Sequence, residues 1–240
     1  MRLALQVVGW AFGLPLQILI ITTLLRGGYR RFPFVFAYIV TDFVTTALEI
    51  PPALSYVRGM RQSATPLAFV YWIDEIVLQV LIYAVVVSFI YELTRHLPSR
   101  RLLRASVVAG AILPAAISFV IHFNPTLNTG SWMTPWTRDL NFYSAILDLG
   151  LWALLIGSRS RDHQMLLLTG GLGIKFAGES IGESVRQLAI QNRSKPISLT
   201  GNVIIMVANI FFFYVWWHAV RTAKKNGSRP LAETAPRNKL

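Results

Sequence analysis

Apolar residues run along this chain in long, nearly charge-free blocks, separated by short clusters of Pro, Gly and basic residues. Seven blocks are long enough to be helices, over about 3–25, 33–53, 66–94, 102–123, 138–157, 164–190 and 198–220. Crossing the hydrocarbon core of a bilayer takes about 20 apolar residues. Backbone polar groups find no water in lipid, so runs of this length cross as helices, which satisfy those groups internally. Gly27-Gly28, Pro33, Pro51-Pro52, Pro66, Pro98, Pro125, Pro135 and Pro196 fall at or near block ends, where helix breakers belong. Pro15 and Pro114 fall inside blocks and are expected to kink them. The pattern predicts an all-α integral membrane protein: a single bundle of about seven transmembrane helices in residues 1–220. Residues 221–240, basic and rich in Gly, Pro and Asn, read as a disordered tail.

Composition sharpens this reading. Of 240 residues, 54% are hydrophobic and 14% charged, against about 25% charged in soluble domains. Seven spans with short loops leave no room for a separate soluble domain. The net charge of +12 would point to nucleic acid in a soluble chain. Here the basic residues lie mostly between the blocks, where they set membrane orientation instead, and no nucleic-acid partner is expected. Arg26, Arg30, Arg31, Arg95, Arg100, Arg101, Arg104, Arg159 and Arg161 fall in the first, third and fifth loops. With the tail, that side holds fifteen Lys and Arg residues; the other holds six, Arg2, Arg58, Arg61, Arg138, Arg193 and Lys195. The bias predicts an N-terminus outside and a C-terminus in the cytoplasm, in the cell (plasma) membrane.

The first block, Leu3 to Leu25, exceeds the usual signal-peptide core of about 7–15 residues and is read as a span. The tail reads mainly as an orientation signal with contact to anionic lipid. The run Phe211, Phe212, Phe213, Tyr214, Trp216, Trp217 reads as an interface anchor. There is no cysteine, which removes disulfides and thiolate chemistry.

The acids change the picture more. Of eleven Asp and Glu residues, seven fall in the body of predicted spans: Asp42, Glu49, Asp74, Glu75, Asp148, Glu179 and Glu183. Lys175 and Arg186 join them. A charge at the centre of a membrane helix costs about 2.5–3.5 kcal/mol on the insertion scale, so such groups face a bundle interior or a wet cavity. Asp42 and Glu49 are seven residues apart and share a helix face. Lys175, Glu179, Glu183 and Arg186 follow at i+4, i+4 and i+3, a single polar stripe whose opposite charges can pair. Glu75 with Gln79, Asn141 with Ser144 and Asp148, and Asn202 with Asn209 each share a face on their own helices. With the predicted orientation, most of these groups fall in the outer half and converge on a cavity that opens outward. The competing reading is local ion pairs that only fix packing. Gly178 and Gly182 form G-x-x-x-G, more often close helix contact than ligand space.

Specific chemistries are less well supported. His96, His122, His163 and His218 sit at span ends without H-x-x-x-H spacing, so no metal centre is expected. A carboxylate-only site would favour Ca²⁺ or Mg²⁺. A lysine inside a seven-helix chain raises a retinal Schiff base, but microbial rhodopsins carry it in the last helix, whereas Lys175 is in the sixth; retinal is not expected. Gly178-Glu179-Ser180-Ile181-Gly182 spells Gly-x-Ser-x-Gly, but it lies inside an apolar block rather than at a strand-to-helix turn, so nucleophilic catalysis is not expected. Lipid acid–base chemistry on Asp74, Glu75 or Glu179 is not singled out either. The expectation is a sensor or receptor-like protein with an outward cavity lined by the nine charged residues, acting through a membrane or cytoplasmic partner. The alternatives are a small-solute or proton-coupled transporter, and an accessory subunit of a membrane complex.

Overall fold

The computed structural model describes residues 2–57, 64–94, 100–124, 129–157, 162–191 and 195–227. Among them the chain is all helical, with seven helices and no strand: α1 Arg2–Leu25, α2 Pro33–Val57, α3 Ala64–Thr94, α4 Arg100–His122, α5 Thr129–Gly157, α6 His163–Gln191 and α7 Lys195–Gly227. Pro33 opens α2, and Pro66 and Pro196 sit in the first turns of α3 and α7, where no intrahelical N–H is lost. Pro15 and Pro114 lie inside α1 and α4 as expected.

Three boundaries differ from expectation. Helix α2 continues past Pro51-Pro52 to Val57. Helix α5 begins at Thr129, so Pro135 is internal rather than terminal. There Trp132 and Trp136 pack edge-on against Phe119, and Trp132 against Phe123, which ties this first stretch to α4 and offsets the lost backbone bond. Helix α7 extends to Gly227, beyond the expected end near residue 220; residues 228–240 of the tail lie outside the described residues.

Among the described residues, five helices carry stretches long and apolar enough to cross a membrane: Ala4–Leu25, Pro33–Pro51, Asp74–Leu93, Pro135–Gly157 and Pro196–Thr222. The apolar part of α4, Ile112–His122, is shorter, and α6 is interrupted by its stripe of charges. The outer faces are densely apolar: Val120 is 75% exposed, Leu149 71% and Ile121 70%. Exposed apolar surface on this scale fits lipid, not water.

Short connections make successive helices antiparallel. The first is built by Gly27, whose φ of 127° is open only to glycine without strain, followed by a single 3₁₀ turn over Gly28–Arg30. Around the bundle α1 packs on α2, α2 on α3, α3 on α5, α5 on α6, α6 on α7 and α7 back on α1; α4 leans on α3 and α5 from outside. This is a closed ring of six helices with a seventh against it.

The ring has two unlike halves. At the end away from the N-terminus, its interior is filled by Leu24, Val35, Ile39, Val85, Phe89, Leu151, Leu168, Leu172, Phe212 and Trp216, all 0–1% exposed. Trp216 Nε1 donates to Leu168 O at 2.8 Å, and Tyr38 meets both Phe212 and Trp216 edge-on. The aromatic run on α7 is therefore divided: Phe212, Phe213 and Trp216 belong to this core, while Phe211 and Tyr214 face outward. Their i, i+4 spacing places Phe212 and Trp216 on the α6 side. The other half of the ring holds Asp42, Glu49 and the acids that act on them, Asp74 and Glu179.

Candidate functional site

Helices α6 and α7 form the closest pair in the ring, and small residues explain why. A Cβ on Gly178 would collide with the Ala208 methyl; one on Gly201 would lie 2.6 Å from Gly182 O. In lipid, helices associate through such close backbone approach, since apolar burial by itself gives no preference for a neighbouring helix over a lipid tail. Gly178 and Gly182 thus serve packing. The glycines that leave space for a cavity are Gly9 and Gly13 on α1.

That cavity holds about 220 Å³ between α1, α2, α6 and α7, in the half nearer the N-terminus. Asp42, Thr46 and Glu49 line it from α2, Gln17 and Trp10 from α1, Lys175 from α6, and Met206, Asn209 and Phe213 from α7. Gln17 Nε2 donates to Asp42 Oδ2 at 2.8 Å. Lys175 Nζ pairs with Glu179 Oε1 and reaches Asn209 Oδ1 at 3.4 Å, with Phe212 below it at 5.8 Å from the ring centre. Lys175 is thus engaged on two sides, and its charge also acts on Asp42.

A second cavity of about 360 Å³ lies toward the amino end, lined by Leu5, Gln6, Arg186, Ser198 and Asn202. It shares Gly9, Trp10 and Met206 with the first, so the two are adjacent chambers meeting at these residues. Arg186 Nη1 pairs with Glu183 Oε1 at 2.5 Å, both side chains about half exposed, on the vestibule side.

The nine charged residues singled out from the sequence divide into three groups. Asp42, Glu49 and Lys175 line the inner cavity, and Arg186 the outer one. Asp74, Glu75, Glu179 and Glu183 stand behind these. Asp74 and Glu179 act electrostatically on Asp42, Asp74 also on Glu49, and Glu179 and Glu183 on Glu75. Asp148 stands apart. It is 2% exposed on α5, opposite Gly173, and its Oδ1 has no protein partner among the described residues. Lys175 pairs with Glu179, one helical turn along α6, and not with Asp148. Among the described residues no three His, Asp or Glu side chains gather into a metal-holding group.

Sequence reasoning missed Gln17, Trp10 and Tyr38 as cavity walls. For Gln17 a signal existed: it is one of two amides in the first apolar block. It is 2% exposed, and its Oε1 has no protein partner among the described residues.

Fold and site together define an α-helical membrane protein with a polar, charged cavity in one half of its helix ring. No protein-family model, curated protein or solved structure matches the chain.

Proposed function

We propose that the chain crosses the plasma membrane seven times, with its N-terminus outside and its tail in the cytoplasm, and acts as a receptor-like sensor of a small polar solute. The observation that carries this reading is the one-sidedness of the ring: two adjoining polar chambers at the amino end above an apolar floor of Ile39, Leu168, Leu172, Phe212 and Trp216. A receptor needs a chamber open to one side, and a carrier needs a route through. The excess of basic residues in the first, third and fifth loops and the tail supports the orientation. For α6 to cross, its charges must be neutralised in place, and the Lys175–Glu179 and Arg186–Glu183 pairs do so. Lys175, on α6, touches both the chamber and Asn209 of α7, so solute binding bears on the α6–α7 pair, from which a cytoplasmic or membrane partner takes the signal.

A second reading, a proton-coupled carrier, has Asp148 in its favour, an acid buried within the span of α5. The two separate in proteoliposomes given a mixture of radiolabelled amino acids, amines and carboxylates under an imposed proton gradient. The receptor-like reading expects no accumulation above protein-free liposomes. Accumulation that disappears in Asp148→Asn would overturn it in favour of the carrier.

A further inference from the structure

We propose that the inner cavity takes a small organic ammonium ion, held by Asp42 and Gln17 with Glu49 on the same wall. This rests on the receptor-like reading of the same chamber and names the chemical class of its solute.

Hydrogen-bond capacity points this way. Gln17 gives one of its amide hydrogens to Asp42, which orients its carbonyl oxygen, and that oxygen is buried with no protein donor among the described residues. A buried acceptor without a donor costs about 1–3 kcal/mol. The neighbouring groups do not supply one. Lys175 is turned toward Glu179 and Asn209, and Asn209 Oδ1 is itself used as an acceptor. Asp42 and Glu49 add carboxylate oxygens. Trp10, Tyr38, Thr46 and Asn209 carry donors on the same wall, but none is bonded to the Gln17 oxygen among the described residues. A primary ammonium brings up to three donors on one atom, enough to reach it together with the two carboxylates.

Charge agrees with it. Lys175 is paired with Glu179 and its charge also acts on Asp42, yet Asp42, Glu49 and Glu179 outnumber it around the chamber, and Asp74 behind them adds a further negative charge acting on Asp42 and Glu49. An anion meets repulsion here. A divalent metal prefers six or more oxygens at short range, and no three acids converge among the described residues. The rings of Trp10, Tyr38 and Phe213 in the same wall suit an organic cation, whose charge is drawn to aromatic faces. At ~30 Å³ per water, 220 Å³ is room for about seven waters, which limits the ligand to a small amine. It would arrive through the outer chamber, past Trp10 and Met206.

The test uses the full chain in lipid nanodiscs and calorimetric titration with primary ammonium chlorides from methylammonium to 2-phenylethylammonium. Matched alcohols and carboxylates of the same carbon frames run in parallel. The expected result is binding by at least one ammonium with its alcohol and carboxylate silent, weakened tenfold or more in Asp42→Asn. That variant is isosteric and keeps the Gln17 bond. Glu49→Gln, at an exposed position that does not carry the fold, is expected to weaken it several-fold. Carboxylates or alcohols binding as well as the ammonium ions would overturn the proposal. So would unchanged binding in both variants, or sodium chloride alone giving the same heats. If no member of any series binds, the ammonium proposal falls; the receptor-like reading falls separately, on accumulation in the liposome experiment.

Discussion

Adding one methyl group at Gly201 tests how the ring is closed. A Cβ there would stand 2.6 Å from Gly182 O and 3.2 Å from Arg186 N, and the reciprocal Cβ on Gly182 would stand 2.9 Å from Gly201 O. Carbon–oxygen contacts rarely close below about 3.3 Å, so α6 and α7 must part by about 0.7 Å. The obstacle is backbone, which cannot rotate away as a side-chain end can. Overpacking of this kind costs about 1–3 kcal/mol, against a helix-propensity gain of at most about 1 kcal/mol for Gly→Ala. With the full propensity gain set against it, the expected net loss is up to about 2 kcal/mol, a fall of up to roughly 8 °C in Tm for a chain this size. Gly150→Ala is the matched control, because a Cβ there meets nothing within 4 Å, and it is expected to leave Tm unchanged or raise it. Intrinsic tryptophan fluorescence during a thermal ramp in detergent reads both. A rise in Tm for Gly201→Ala, equal to that of Gly150→Ala, would refute the close α6–α7 contact.

The Lys175–Glu179 pair, with side chains 13% and 21% exposed, is expected to show a coupling of about 0.5–3 kcal/mol in a double-mutant cycle of Lys175→Met and Glu179→Gln. Additive losses in thermal unfolding would mean that the two groups do not act as a pair. Asp162 has two tasks: its Oδ1 accepts from Met165 N at 3.1 Å and caps α6, while its Oδ2 pairs with Arg31 at 2.6 Å. Asp162→Ala is expected to cost about 1 kcal/mol more than Asp162→Asn, since Asn can still cap and a pair this exposed contributes only about 0–1 kcal/mol. Equal losses for the two variants would give the larger part to the ion pair.

The seven helices among the described residues were legible in the long apolar runs, although five of them carry stretches long and apolar enough to cross a membrane. Most boundaries followed from Pro and Gly, but Pro135 misled, since its cost is met by Trp132 and Trp136 packing edge-on against Phe119 of α4, a tertiary contact with no local trace. The i+4 and i+3 steps from Lys175 to Arg186 forecast both ion pairs of α6, as helical geometry requires. Periodicity could place Asp42 and Glu49 on one face of α2, but not tell which helix they meet. That depends on the ring closing through α1 and α7, which brings Gln17 onto Asp42 across 25 positions of sequence. Asp148 shows the same limit. It was read as one of the span acids, whereas its place opposite Gly173, about 200° around α6 from Lys175, depends on how α5 and α6 meet.

The central claim is that the polar chambers open to one side only, and the absence of native cysteine makes it directly measurable. Single cysteines at Thr46 and Ser198 report the two chambers, Leu172 the apolar floor, and Arg30 the opposite face of the bundle. In intact cells treated with a membrane-impermeant maleimide, Thr46→Cys and Ser198→Cys are expected to be labelled. Leu172→Cys should stay unlabelled, and Arg30→Cys should react only after the membrane is permeabilised. Labelling of Thr46→Cys only after permeabilisation, or of Leu172→Cys in intact cells, would contradict it.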